Sequence, residues 1–505
     1  MRVLLIGVDG LTLRIVKPLM AQGLLPHLRQ IYEGGAHALL RAPLPPAAIT
    51  RWWAIMTGLP PRQQDQIAQS DYGERRLLKT TGLLQRLSRP SLNLAQEDQA
   101  LWSLLSAWGR RVLVANVPAT YPPRPLNGIM LSGPPAPPFY AGLAYPPDFA
   151  ARVLKAIPTY QLTPSWRGLR AWFREPLKEI QRLLEMRSAL LDLLLGEDWD
   201  CCLFVLHEID LLQHLYWDRV LDLRSDVVAC YRLLDELLGR ALAALRPPDL
   251  LILLSPYSFQ GARRTFHLNE FLMRYNKGCA GQETAFRLSS SQPACWRGKA
   301  RMGPSQLLPW LPGERRWRTW RLEVPLERQA GRSLADGPFA MLPTSAPLGG
   351  YAAIALAGHL TEGQIEEFIA DLQAQVDPMT AYPAIGDLYR EDICMERWGP
   401  GEEPVPPGAR ARSLVLLAHD GVVLSPRLTR QRQLWSGGEP ALGMHHPDGL
   451  LCLYGAEGQR TLLRSASAYD IVPTVLAALK VPLPEWLAGR PLIGPGTPLA
   501  SPSSI

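Results

Sequence analysis

Cysteine is scarce in this 505-residue chain: there are seven, an odd number. Cys201 and Cys202 are adjacent and the other five are scattered with no C-x-x-C spacing, which argues against a disulfide framework and a cysteine-rich zinc site. No apolar run approaches the ~20 residues that a bilayer-spanning helix needs. The chain opens directly on RVLLIGVDG, with one arginine and no small-residue cleavage site. No signal peptide is therefore expected, and a cytoplasmic setting is. Lysine is also rare: 7 of the 53 basic residues, in a chain of net charge +7. The basic residues are spread out, in short pairs at most. The charge reads as a compositional bias toward arginine, and nucleic acid is not an expected partner.

What is present is an ordinary globular composition, 47% hydrophobic and 20% charged. The length suits about three units, or one large domain with insertions. Residues 2–8 form an apolar run ending at Asp9-Gly10, and 11–33 carry apolar positions at helical spacing up to Gly34-Gly35. Further strand-like runs are RVLVANVP at 111–118, CCLFVLH at 201–207, DLLILLS at 249–255, SLVLLAH at 413–419 and LLCLYG at 450–455. Helical patterns fall at 97–108, 176–196, 210–245 and 469–481, and a Pro-rich stretch at 119–150 reads as an ordered excursion. Short apolar strands alternating with helices predict an α/β fold, a mostly parallel sheet covered by helices on both faces. Residues 275–345, rich in Arg, Trp, Ser and Pro, break the rhythm and read as an inserted cap. The α/β core is then expected over 1–274 and 346–490, with a flexible Pro/Ser-rich tail at 491–505.

In open α/β sheets ligands sit beyond the C-terminal strand ends. The polar residues at those ends are Asp9, then Asp210 and His214, then Ser255-Pro256-Tyr257, with His445 just before the run at 450–455. Asp210 and His214 are spaced i, i+4, which puts them on one helix face. With His445 they form an Asp/His/His set that suits Zn²⁺ with one position open. Solvated helix surface is the plainer reading of such a pair, and GMHHPDG around His445 also suits a turn.

Several segments together resemble the alkaline phosphatase superfamily, in particular its type I phosphodiesterase/nucleotide pyrophosphatase branch. They are VLLIGVDG at 3–10, LPHLRQIYEGGA at 25–36, AIMTGLPP at 54–61, VPATYPPRPLNGIMLSG at 117–133, EIDLLQHLYW at 208–217, RRTFHLNEFL at 263–272, HPDGLL at 446–451 and YDIVPTVLAALKVPLP at 469–484. The resemblance runs nearly end to end and implies an alkaline-phosphatase-like α/β fold. It also implies two zinc-like ions. One falls to Asp210, His214 and His445. The other would need the first-strand aspartate, a Thr/Ser nucleophile and an Asp-His pair. Asp9 is present, but the nucleophile position falls on Ala48, and the Asp and His positions on Pro256 and Tyr257.

An alkoxide nucleophile needs a hydroxyl, which alanine lacks, and Pro and Tyr cannot replace a carboxylate and an imidazole on zinc. The family's covalent mechanism is not expected here, and the second metal site is read as lost. Thr50 is a substitute nucleophile only if it is not simply the N-cap of RWWAIM. Ser255 reads as a core or turn hydroxyl, His207 as a satisfied polar group, His267 and Glu270 as structural. Arg263 and Arg264 read as a solvated face before an anion site, and Trp52 and Trp53 either narrow the pocket or belong to the core. The expectation is a degenerate family member holding one divalent metal, zinc or manganese, with a phosphate-containing small molecule as partner. The alternatives are an active single-metal phosphodiesterase using water as nucleophile, and a metal-free scaffold.

Overall fold

In the computed structural model the described residues are 1–41, 43, 48–60, 98–137, 141–164, 176–279, 339–341, 350–356, 360–390, 413–425, 433–455, 463 and 465–493. Most of the expected cap at 275–345 and of the tail at 491–505 lies outside them. The first strand, β1 (Val3–Val8), is buried along its whole length. Val3 and Leu5 point into one apolar cluster and Leu4, Ile6 and Val8 into another. Strand side chains alternate between faces, so burial of both sets means that helices cover both faces of the sheet. That is why the run reads as continuously apolar.

One face is covered by α1 (Leu13–Ala21), α2 (Pro26–Gly34) and, further on, helices at Asp148–Ala156, Pro176–Leu195, Glu208–Leu221 and Ser225–Ala244. The other is covered by α3 (Ala48–Thr57), α4 (Leu101–Ala107) and a C-terminal helix at Ile471–Ala478. In chain order the first four of these later helices are α5, α6, α7 and α8. α9 (Leu268–Cys279) and α10 (Glu362–Gln373) lie elsewhere, and the C-terminal helix is α11.

The main sheet also contains β2 (Ala36–Arg41), β3 (Val112–Ala115), β4 (Gly128–Leu131), β5 (Ala144–Tyr145), β6 (Cys201–Leu206) and β7 (Leu250–Ser255). The later chain adds β8 (Ser258–His267), β9 (Phe339–Met341), β10 (Tyr351–Leu356), β11 (Ile385–Arg390), β12 (Ser413–Ala418), β13 (Val422–Ser425), β14 (Trp435–His446), β15 (Gly449–Gly455) and β16 (Ala466–Ser467). The main sheet runs β16-β2-β15-β7-β1-β6-β3-β4-β5. Its centre is parallel: Val3 faces Cys201 on β6 and Leu250 on β7. β15 enters antiparallel between β7 and β2.

Two differences from the sequence reading stand out. The run at 413–419 is a strand, but it pairs antiparallel with β10 and β11 in a separate four-stranded sheet. Periodicity reports a buried strand and says nothing of its partner. That sheet shares an apolar core with α9, α10 and β13. The second difference is β14, which the sequence reading did not identify. It joins β8 and β13 in a three-stranded sheet and carries both His445 and His446.

Candidate metal site

β7, β1 and β6 are neighbours in the sheet, so the chain segments leaving their C-terminal ends emerge side by side. β1 delivers Asp9, β6 runs into α7 with Asp210 and His214, and β7 ends at Ser255 before Pro256 and Tyr257. The turn after Asp9 needs Gly10, whose φ is +78° and whose added Cβ would lie 2.7 Å from the Phe259 ring. Ser255 ties two of these segments together. Its Oγ accepts from the Leu11 N–H at 3.0 Å and donates to the Tyr257 carbonyl at 2.7 Å. It is the turn hydroxyl that the sequence suggested.

The three expected ligands of one ion converge. Asp210, His214 and His445 each present a ligand atom, and those atoms lie within 4.8 Å of one another. The His214 and His445 Nε2 atoms are 3.0 Å apart, His445 Nε2 is 2.8 Å from Asp210 Oδ1, and His214 Nε2 is 3.6 Å from Asp210 Oδ2. Zinc bonds of 2.0–2.1 Å in a tetrahedron imply ligand–ligand edges of about 3.3 Å. The donor set and its spacing therefore fit one tetrahedral ion.

Helix geometry places Asp210 and His214, and β14 brings His445 across to them. The His214 Nδ1–H donates to the Gly443 carbonyl at 3.0 Å, so Nε2 is the nitrogen turned to the cluster. Burial lowers the His214 pKa, the neighbouring His445 adds to this, and Asp210 opposes it. A neutral imidazole is the form that ligates. Burial pushes the Asp210 carboxyl up, but His214 and His445, with hydrogen bonds from His445 and the Tyr257 hydroxyl, outweigh it and hold the group at about 2.

The other expected half-site is built differently. Asp9 is 4% exposed, and both of its carboxylate oxygens are taken by the protein. The Trp52 indole N–H donates to Oδ1 at 3.0 Å and His207 Nδ1 lies 2.6 Å from Oδ2. His207 Nε2 is 3.0 Å from the Asn116 carbonyl. A carbonyl only accepts, so both ring nitrogens donate and His207 is the imidazolium. Burial works against that charge, but the hydrogen bond and the negative charge of Asp9 raise the His207 pKa overall. Tyr257 is 2% exposed. Burial first, then Asp210 and Asp9, push its phenol well above the ordinary value, so it stays protonated and donates to Asp210.

Of the remaining expected site residues, Ala48 is the first residue of α3. Thr50 lies inside that helix rather than capping it, because the helix starts two residues earlier. Trp52 and Trp53 are both buried, and Trp52 is as much a partner of Asp9 as a core residue. Arg264 pairs with Asp377 at 2.7 Å, while Arg263 is exposed. Arg51 is not among the residues expected from the sequence. It is 1% exposed and donates to the Pro256 carbonyl at 3.1 Å. A cation inside an apolar RWWAIM helix was the available signal.

The profile of the type I phosphodiesterase / nucleotide pyrophosphatase family matches residues 3–440. No curated protein matches the chain. Among solved structures it is similar to phosphonoacetate hydrolase from Sinorhizobium meliloti 1021 in complex with phosphonoformate. The identity is 13%, the TM-score 0.50, and 95% of each chain is covered. It is similar also to the alkaline phosphatase PafA, with 12% identity, a TM-score of 0.50, and coverage of 97% of this chain and 98% of that one. At such identities the likeness shows the fold, an alkaline-phosphatase-like one. The match over 3–440 shows more: the chain belongs to the type I phosphodiesterase / nucleotide pyrophosphatase family.

Proposed function

We propose that this chain is a degenerate member of its family. It binds one divalent cation, zinc before manganese, at Asp210, His214 and His445. It recognises a small molecule bearing a phosphate-type anion, and hydrolyses phosphoesters little or not at all. The carrying observation is the state of Asp9, whose two oxygens are held by Trp52 and His207. The imidazolium of His207 already balances the Asp9 charge, which weakens its pull on a second ion, and Ala48, Pro256 and Tyr257 supply none of the other groups that ion would need. When bound, a cation at the remaining cluster supplies Lewis-acid attraction for an oxyanion. The protein orients His214 through Gly443 and Asp210 through Tyr257. The phosphonoformate complex of the fold relative supports an anion of this kind.

A metal-free reading has one observation in its favour. His445 Nε2 and Asp210 Oδ1, at 2.8 Å, also satisfy each other as a hydrogen bond. Metal analysis of protein purified without chelator separates the readings, with His214→Ala beside it and bis-p-nitrophenyl phosphate as substrate. We expect about one ion per chain, its loss in the variant, and turnover at background. Two tightly held ions would overturn the lost second half-site. Turnover that disappears in His214→Ala would establish a single-metal hydrolase. No ion in either protein would leave the scaffold reading.

A further inference from the structure

Arg51 is a buried cation without an anionic partner among the described residues. Two other arginines that reach inward are paired: Arg187 with Glu208 at 2.9 Å, Arg264 with Asp377 at 2.7 Å. Arg51 donates only to the Pro256 carbonyl, and its Nε–H has no acceptor among the described residues. The carboxylates that act on it from a distance are Asp448 and Asp9, and Asp9 is already paired with His207. An unpaired buried charge costs several kcal/mol, so a fold retains one where another group uses it.

Its location indicates that group. The guanidinium carbon lies 5.5 Å from the centroid of the Tyr257 ring. The same ring lies 4.1 Å from that of His445, and the Tyr257 hydroxyl donates to Asp210. Tyr257 is thus a wall common to Arg51 and the candidate cation cluster. Pro256 and Tyr257 occupy the positions where the family resemblance implies ligands of a second ion, and here a guanidinium stands against them. The side chains of His445 and Asp210 remain 26% and 22% exposed, so the cluster side is open to a ligand.

We propose that Arg51 is the second positive pole of an oxyanion subsite. A phosphoryl or phosphonyl group directs one oxygen to the cation held by Asp210, His214 and His445 and another to the Arg51 guanidinium. This rests on the single-cation reading above and names the ligand it serves. A guanidinium forks onto two oxygens of such a group but neither ionises a nucleophile nor binds a water as a metal does. The substitution therefore favours holding the ligand over cleaving it, in keeping with Ala48 at the nucleophile position.

The test is calorimetric titration of inorganic phosphate into zinc-loaded wild type, Arg51→Met and Arg51→Lys, with bound zinc and circular dichroism measured for each. We expect wild type to bind one phosphate and Arg51→Met to weaken it at least about tenfold, the loss of one charge-assisted contact, with zinc content unchanged. Arg51→Lys keeps the charge but loses the fork, and we expect a weakening of about threefold or more. If Arg51→Met does not fold, Arg51→Lys decides alone. Unchanged phosphate affinity in either folded variant would overturn the proposal. So would zinc-loaded wild type that binds no phosphate, and that result would leave the single-cation reading standing. Arg51-dependent phosphate binding in a protein that takes up no zinc would remove the cation reading and keep the arginine subsite.

Discussion

Trp52 and His207 decide the fate of Asp9. The indole N–H and the imidazolium together occupy a carboxylate that sits 4% exposed at the end of the central strand. Replacing Trp52 by Phe keeps most of the ring volume and removes the donor. We expect a loss of about 1–3 kcal/mol in urea unfolding, the cost of leaving a buried acceptor unmatched, with bound cation unchanged. An equal loss of cation would show that Asp9 serves the ion after all. His214 is a different kind of residue. His214→Ala removes a ligand from an open cluster, and we expect its main effect in metal content rather than in folding.

The candidate site is made where two elements meet, α7 and β14. Gly443 on β14 lies against the backbone of α7, and an added Cβ would stand 2.5 Å from the Gln213 carbonyl oxygen. Backbone cannot move aside as a side-chain tip does, so Gly443→Ala must lift β14 from α7. The same residue's carbonyl fixes the His214 ring. We expect at least about a tenfold loss in zinc affinity with near-native circular dichroism, since misplaced ligands and a lost outer-shell hydrogen bond act together. Zinc affinity equal to wild type would show that the cluster does not depend on this contact.

On the scale of the molecule, the three-stranded and four-stranded sheets share an apolar core, and an ion pair ties the first of them to the segment that follows α10. Arg264 on β8 donates to Asp377, beyond the end of α10, and Asp377 also accepts from Thr380. Burial raises the Asp377 pKa, but Arg264, Thr380 and a backbone N–H lower it overall. A depressed carboxyl stabilises the fold above its unfolded pKa of ~3.9 and loses that contribution as pH falls through the folded value. We expect Asp377→Ala to cost about 3–5 kcal/mol at pH 7, because Arg264 is left without its partner. The gap between variant and wild type should close as pH drops below about 4, read by denaturant unfolding at a series of pH values.

The local pattern carried far. The apolar runs of β1, β6 and β7 are strands because both of their faces are buried, and that requirement is written into consecutive residues. The i, i+4 spacing of Asp210 and His214 already sets them on one face, since a helix alone determines it. The proposed loss of function at Ala48, Pro256 and Tyr257 rests on residue types alone, because side-chain chemistry needs no coordinates. Pairing across the chain was not legible in this way. β12 has the composition of a core strand yet lies in another sheet, and β14 escaped notice, its end reading as a turn. The grip of His207 and Trp52 on Asp9, and the unpaired charge of Arg51 beside Tyr257, join residues 198, 43 and 206 positions apart. Residue types and local periods belong to the sequence, whereas which polar groups meet is decided by tertiary packing, because a hydrogen bond or a ligand shell depends on distances that span the fold.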